Sequence, residues 1–293
     1  MEGTTMPGEM ILRIWNVEHG ACAMLTHRSV FGLGLLAMID AGRTADWRPS
    51  HYIRHQLGRT CLDYLFITNA DQDHLSDLEG LWDEGIYVTT LIRSPHPNPS
   101  MLREMKLEGG PLSSGIERFI DIHRSYIDPA PPFNSNMGGI TKKTYCNTYP
   151  EFNTTNNLSL VTFIEYCGFK IIFPGDLEKD GWMTLLRHPD FCKDLLDVDI
   201  LVAAHHGREN GYCEEIFQYC HPRAVVMSDK AIVHGTQGKT ESYRQRVLER
   251  NPDGVLVANT GKHRHVLTTR RDGSIEFTVN DRGDFRINTE YHG

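Results

Sequence analysis

Four apolar runs in this chain each stop abruptly at aspartate or histidine, and that recurrence constrains the fold more than any single motif. Leu65-Phe66-Ile67-Thr68 runs into Asn69-Ala70-Asp71-Gln72-Asp73-His74. Ile171-Ile172-Phe173 ends in Pro174-Gly175-Asp176, and Ile200-Leu201-Val202-Ala203-Ala204 ends in His205-His206-Gly207. Val225-Val226-Met227 ends in Ser228-Asp229, with His234-Gly235 a few residues on. Runs of this length are strand-sized, and strands of a sheet present functional loops at their C-terminal ends. Taken singly, each end has an ordinary explanation: Asp73 suits the N-cap of a helix beginning near Leu75, and a lone histidine at a strand end is commonly a hydrogen-bonded core or surface residue. Four such ends call for a shared one. Residues two apart on an extended chain share a side, so Asn69, Asp71 and Asp73 are expected to converge, with His74 entering as the backbone turns. Carboxylates that close repel one another and are costly to desolvate without a counter-charge, so the pattern predicts a divalent-metal site.

The same runs organise the chain. The first half predicts strands near 11–15, 23–25, 36–39, 64–68 and 88–92, with a helix after His74 that carries Leu75, Leu78 and Leu81 at helical spacing. The second half predicts strands near 158–166, 170–173, 200–203, 224–227, 255–258 and 274–278, with helices over 182–186, 213–219 and 241–249. Two β-then-α halves whose strand ends face one crevice give an α/β fold of the αββα sandwich kind. Between them, residues 98–153 contain Pro-Ala-Pro-Pro, two Gly-Gly pairs and many asparagines, which predicts an irregular insertion over the mouth of the site.

Composition fits one large core. With 293 residues, 40% of them hydrophobic, the chain is expected to form a single domain over 1–293. No run reaches the roughly 20 apolar residues needed to span a bilayer. Met1-Glu2-Gly3-Thr4-Thr5 does not lead a basic segment into an apolar stretch, so a cytoplasmic protein without a signal peptide or membrane anchor is expected. The cysteines number seven and form no C-x-x-C pair, which reads as reduced thiols and not as a disulfide frame or a structural zinc site. The net charge of −8 leaves room for a local basic patch. Lys262-His263-Arg264-His265 and Arg270-Arg271 are candidates, with a solvated basic strand face as the plainer explanation.

From Ile14 to about Phe277 the chain resembles the metallo-β-lactamase superfamily. Within it, the resemblance is to the hydrolase domain of the DNA-uptake channel protein of natural competence (the ComEC type) and its free-standing, soluble relatives. Asn16-Val17-Glu18-His19-Gly20-Ala21 is similar to the opening D-V-G-Q-G-D turn, and Met38-Ile39-Asp40-Ala41-Gly42 to L-I-D-T-G. Asn69-x-Asp71-x-Asp73-His74 falls on H-x-D-x-D-H, Asn156 to Val161 on N-x-x-S-L-V, and Pro174-Gly175-Asp176 on x-G-D. His205-His206-Gly207 matches H-H-G, Ser228 to His234 the region ending G-H-P, and Thr268 to Phe277 the closing T-D-R-D-G-x-I-x-V. The chain departs from the pattern at Asn69, where the family most often has histidine, at Glu18-His19, and after His234, where the usual proline is missing.

The resemblance implies a metal-dependent phosphodiesterase, a DNA nuclease above all, that works through a metal-bound hydroxide. Two divalent ions are implied. One would be held by Asp73, His74, Asp176 and either His205 or His206, and the other by Asn69, Asp71, Asp176 and Asn156. Asp73 and His234 are the expected catalytic residues, and Asn156, Ser159 and His234 the expected substrate contacts. Oxygen donors in place of imidazoles favour manganese, with zinc suited to the histidine-containing position. The implied partners are a nucleic acid or nucleotide substrate and, by analogy with free-standing nucleases of phage or mobile-element defence, proteins of a multi-gene system. Two other readings follow from the same residues: a cyclic-nucleotide or small-nucleotide phosphodiesterase, and a binding or scaffold protein whose metal site has decayed at Asn69.

Overall fold

Alternation along the strands decides which side chains share a core. In the run that ends before Thr68, Tyr64 and Phe66 join one buried cluster while Leu65 and Ile67 join another. The same split separates Ile171 and Phe173 from Ile172, and Ala224 and Val226 from Val225 and Met227. Such strands are apolar on both faces, so each sheet must be covered on both.

The computed structural model describes residues 8–127, 132–230 and 238–291. Its strands are β1 (Gly8–Ile14), β2 (Ala23–Ser29), β3 (Gly32–Ile39), β4 (Cys61–Ile67), β5 (Tyr87–Arg93), β6 (Thr141–Tyr145), β7 (Val161–Tyr166), β8 (Phe169–Phe173), β9 (Ile200–Val202), β10 (Ala224–Met227), β11 (Val255–Val257), β12 (Lys262–Arg264), β13 (Val266–Thr268), β14 (Ile275–Asn280) and β15 (Phe285–Thr289). One sheet has the order β12-β11-β15-β14-β1-β2-β3-β4-β5 and the other β13-β10-β9-β8-β7-β6. The inner faces of both meet in one cluster that includes Met10, Leu12, Phe66, Ile171, Val226 and Phe277. Helices Gln72–Leu75, Leu78–Asp83, Pro99–Leu107 and Ser114–Ser125 cover the outer face of the first sheet. Helices Lys179–Leu185, Pro189–Leu195 and Thr240–Leu248 cover the second. The layers therefore run α, β, β, α, as expected.

Three expectations differ from the structure. The strands expected near 255–258 and 274–278 belong to the first sheet, because β14 pairs antiparallel with β1. The segment 98–153, expected to be irregular, carries helices and β6 over part of its length. Asn98 accepts from the backbone N–H of Ser100 and Met101 to cap the helix Pro99–Leu107, and Ser113 accepts from Ile116 N to cap Ser114–Ser125. Gly110, at φ 119°, lies in the turn after the first of these helices. The stretch 213–219 forms a 3-10 turn over Glu214–Gln218, where a full helix was expected. The cysteines are all unpaired. Among the described residues no helix is long and apolar enough to cross a membrane.

The parallel strands set the site. β3 and β4 run parallel in the first sheet, as do β8, β9 and β10 in the second. Their C-terminal ends lead into Asp40, the loop 68–74, Asp176, His205-His206 and Ser228. Between the sheets, Phe66 is fully buried and packs edge-on to Phe133, with ring centroids 5.5 Å apart. Phe66→Ala is expected to cost about 3–5 kcal/mol of stability, read as a lower urea midpoint. A loss below about 1 kcal/mol would mean that Phe66 does not fill the space between the sheets.

Candidate metal centre

Both imidazoles of the centre are held from behind by a hydrogen bond. Asp40 follows β3 with a left-handed backbone, φ 60°. Its Oδ1 accepts from Thr68 N at 2.7 Å, and its Oδ2 accepts from Thr68 Oγ1 at 2.5 Å and from His74 Nδ1 at 2.9 Å. With Nδ1 committed to Asp40, the other ring nitrogen of His74 faces Asp176, and Nε2 lies 3.0 Å from Oδ1. The backbone N–H of Asp176 donates to Ser159 Oγ at 3.2 Å. His206 donates from Nδ1 to the carbonyl of Ser228 at 2.8 Å, so its Nε2 also points inward. That Nε2 lies 3.1 Å from Asp73 Oδ2 and 3.5 Å from Asp176 Oδ1. One donor atom from each of Asp73, His74, Asp176 and His206 thus lies within 4.8 Å of the others.

These four residues fit a divalent cation. His206 Nε2 is buried and aligned for a hydrogen bond with neither carboxylate. Two carboxylates and two inward-facing imidazole nitrogens in a nearly dry site require positive charge between them. Burial opposes a charged His74, but the Asp176 and Asp40 carboxylates outweigh it and hold the pKa well above the usual histidine value. Burial likewise opposes ionisation of Asp73, yet the close approach of His206, with His74 and His19 beyond, keeps its carboxyl well below the usual range. Asp176 is held low against its burial by His74 and His206. A metal ion would take over the charge that protonated imidazoles otherwise carry.

The backbone is strained where the second sheet enters the site. His205 and His206 both have left-handed conformations, φ 50° and 56°, and Gly207 follows at 76°. Non-glycine residues adopt that region at a cost, and two in succession are retained where position matters more than comfort. The turn is fixed by His205 N, which donates to the carbonyl of Gly175 at 3.0 Å, and by Ser228 Oγ, which donates to the carbonyl of Gly20 at 2.6 Å.

Of the histidine pair, His206 enters the cluster. His205 stands beside it, with Nε2 3.8 Å from Asp176 Oδ2 and Nδ1 3.9 Å from Glu178 Oε1. Burial and the neighbouring His206 and Arg208 keep the pKa of His205 below the usual value, against the pull of Asp176. Ser159, expected as a substrate contact, is buried and accepts from the backbone N–H of Asp176. Asn69, Asp71 and Asp73 do not converge. β4 ends at Ile67 and a helix begins at Gln72, so the strand alternation is lost across the intervening turn. Asn69 Nδ2 donates to Asn156 Oδ1 at 3.1 Å, while Asp71 Oδ1 accepts from Lys106 Nζ and from Thr155 Oγ1. Asp71 also holds the N-cap position of that helix, but its side chain makes no capping bond. His234 lies outside the described residues.

Several residues at the site escape the sequence reading. Asp40 sits in a matched motif and offers the same signal as the others, an acid at the end of an apolar run. His19 Nε2 approaches Asp73 Oδ2 at 3.4 Å, and burial, with His206, pushes its pKa down to about 4. Arg208 donates to His19 Nε2 at 3.0 Å and to His205 Nε2 at 3.3 Å. Arg270, flagged in a candidate basic patch, is instead paired with Asp229. A second set of metal-competent side chains, His51, His55 and Glu84, lies on the surface away from these strand ends.

No protein-family model matches the chain. Over 241 residues it is 24% identical to ComE operon protein 3 of Bacillus subtilis (strain 168), a match that covers 78% of this chain and 26% of that protein. The chain thus spans about a quarter of the length of this relative. Among solved structures it is similar to a putative metal-dependent hydrolase from Parabacteroides distasonis, at 15% identity over 87% of this chain and 92% of that one, with a TM-score of 0.41. It is also similar to a diphosphatase from the PhnP family, at 12% identity over 94% of this chain and 100% of that one, with a TM-score of 0.43. A third is an archaeal metallo-β-lactamase superfamily protein from Sulfolobus tokodaii, at 16% identity over 56% of this chain and 62% of that one, with a TM-score of 0.30.

Asp40 touches no proposed ligand position other than through His74 and Thr68, so its role is testable apart from ligation. Asp40→Asn is expected to weaken divalent-metal affinity by roughly 10–100-fold, measured by competition with a chelating dye. Unchanged affinity would show that the Asp40–His74 contact does not orient a ligand.

Proposed function

We propose that this chain is a metal-dependent hydrolase of the metallo-β-lactamase superfamily that cleaves phosphodiester bonds, with DNA as its substrate. The observation that carries the reading is the convergence of half-buried Asp73 with buried His74, Asp176 and His206, with His206 Nε2 left without a hydrogen bond. A divalent ion held there supplies a Lewis acid for a phosphoryl oxygen and activates water at neutral pH. The chain contributes everything that positions it. Asp40 and the Ser228 carbonyl fix both ligand imidazoles by their Nδ1 hydrogens, so neither ring rotates during turnover.

Charge at the rim favours an anionic substrate. The Arg208 guanidinium sits on two imidazoles, and no carboxylate pairs with it among the described residues. An arginine whose charge is not neutralised by protein, beside a metal-ligand cluster, suits the fork geometry of a phosphate. His205 accepts from Arg208 at Nε2, and its depressed pKa leaves it neutral near pH 7, able to hold a proton during the reaction. His234 keeps its role toward the substrate as part of this proposal. The DNA assignment is supported by the competence-type motifs of the sequence.

Plasmid and single-stranded DNA with manganese, magnesium or zinc, run beside a cyclic nucleotide, test this directly. DNA cleavage is expected with at least one ion and is expected to cease on chelation. Asp176→Ala should lose metal together with a factor on the order of 10³ or more in rate, whereas Arg208→Met should retain metal and raise KM by about tenfold. Turnover of the cyclic nucleotide without DNA cleavage would redirect the assignment to a small-nucleotide phosphodiesterase. Metal-loaded protein that turns over neither would identify a binding protein.

A further inference from the structure

We infer that the Lys106 ammonium takes the place of a second metal ion, so that the centre combines one metal ion with one fixed organic cation. The inference rests on the metal-dependent reading above and departs from the two-ion site that the motifs imply. Asp71, the carboxylate expected to anchor the second ion, is already engaged. Its Oδ1 accepts from Lys106 Nζ and, at 3.0 Å, from the Thr155 hydroxyl, while Lys106 Nζ donates to Thr155 Oγ1 at 2.9 Å. The three side chains close a triangle in which the Lys106 side chain is only 14% exposed.

The other donors expected around that ion have turned to one another. The amide oxygen of Asn156 accepts from Asn69 Nδ2, and the amide nitrogen of Asn156 donates to Glu178 Oε1 at 3.1 Å. Only Asn69 Oδ1 remains buried without a partner. Donor chemistry points the same way. Against the first position, with two imidazoles and two carboxylates, the second offers two neutral amides, Asp71 and a share of Asp176. A divalent ion is poorly compensated there, since amide oxygens bring no charge, the nearby Glu178 is taken up by Asn156, Asn157 and Asn210, and His205 accepts from Arg208. A single ammonium needs only one carboxylate, and Asp71 supplies it.

The segment between the two halves exists in part to place this charge. Lys106 lies in the last turn of the helix Pro99–Leu107, which starts at the Asn98 cap and is anchored by buried Leu102. Thr155, which the ammonium bonds, is next to Asn156, and Asn156 in turn bonds Asn69 and Glu178, whose Oε1 lies 3.9 Å from His205 Nδ1, so a chain of polar contacts links the ammonium to the metal cluster. A permanent positive charge there would meet a phosphate without the exchange and loss to which a weakly held ion is subject.

The test is a count of bound metal per chain by native mass spectrometry after equilibration with manganese and, separately, zinc. All forms carry His55→Ala, so that the surface set formed with His51 and Glu84 does not add to the count. The parent chain and Lys106→Arg should bind one ion. Lys106→Met should bind two, and the further change Asp71→Asn should return the count to one. Circular dichroism on each form establishes that it is folded. Two ions in the parent chain, or one ion in a folded Lys106→Met, would overturn the inference while leaving the metal-dependent reading in place. No ion in any form would remove both.

Discussion

The structure depends on a repulsion. Asp73 and Asp176 come from different sheets and end up close around two imidazoles, in a place with little water to screen them. Nothing in the apolar packing rewards that meeting, and in isolation it would push the sheets apart at their C-terminal edge. Positive charge reverses its sign, so the strand ends meet through electrostatics while the apolar cluster between the sheets holds the rest. The surrounding polar residues follow from this need: Asp40 and the Ser228 carbonyl orient the imidazoles, Ser159 steadies Asp176, and Lys106 answers Asp71.

What the sequence reveals and what it hides divide along a physical line. Strand interiors are readable because burial on two faces demands continuous apolar runs, and their ends are readable because polar residues there have no packing reason to cluster. Asp73, His74, Asp176 and the pair His205-His206 are singled out this way, while which member of the pair enters the cluster is not. Asp71 and Asn69 are placed differently from the alternation rule because the extended backbone stops at Ile67, and beyond it the direction of a side chain is set by tertiary partners such as Lys106 and Asn156. The helices within 98–153 carry apolar residues at helical spacing, Ile116, Phe119 and Ile120 among them, but the glycine pairs and prolines of the same stretch mask that period. Their caps, Asn98 and Ser113, were available as signals. Sheet membership of the last strands is the hardest to see, since alternation fixes a face and not a neighbour.

The paired histidines show how a short motif can encode backbone as well as chemistry. In His205-His206-Gly207 all three residues lie in the left-handed region, a path that turns the chain tightly and sends two adjacent side chains to different partners. His206 enters the cluster and His205 stays by Glu178 and Arg208. A looser turn with the same residue types would keep the donors and lose their placement. Which of the two imidazoles joins the cluster is therefore decided by the turn and not by the dipeptide.

The pairing of β14 with β1 sets Ile14 against Ile275 and Met10 against Val279. As a ribosome emits this chain, β1 emerges before β14, and the edge that β14 covers has no partner until the strands between them have been made. Closing a loop of that length costs entropy before any ladder bond returns it, which places this fold among those rich in non-local contacts and slow to form. Until then the β1 edge is an open template for a strand of another chain. The last strands of the first sheet thus act as a clasp, and a chain interrupted before them would carry its metal ligands on a sheet with an unguarded border.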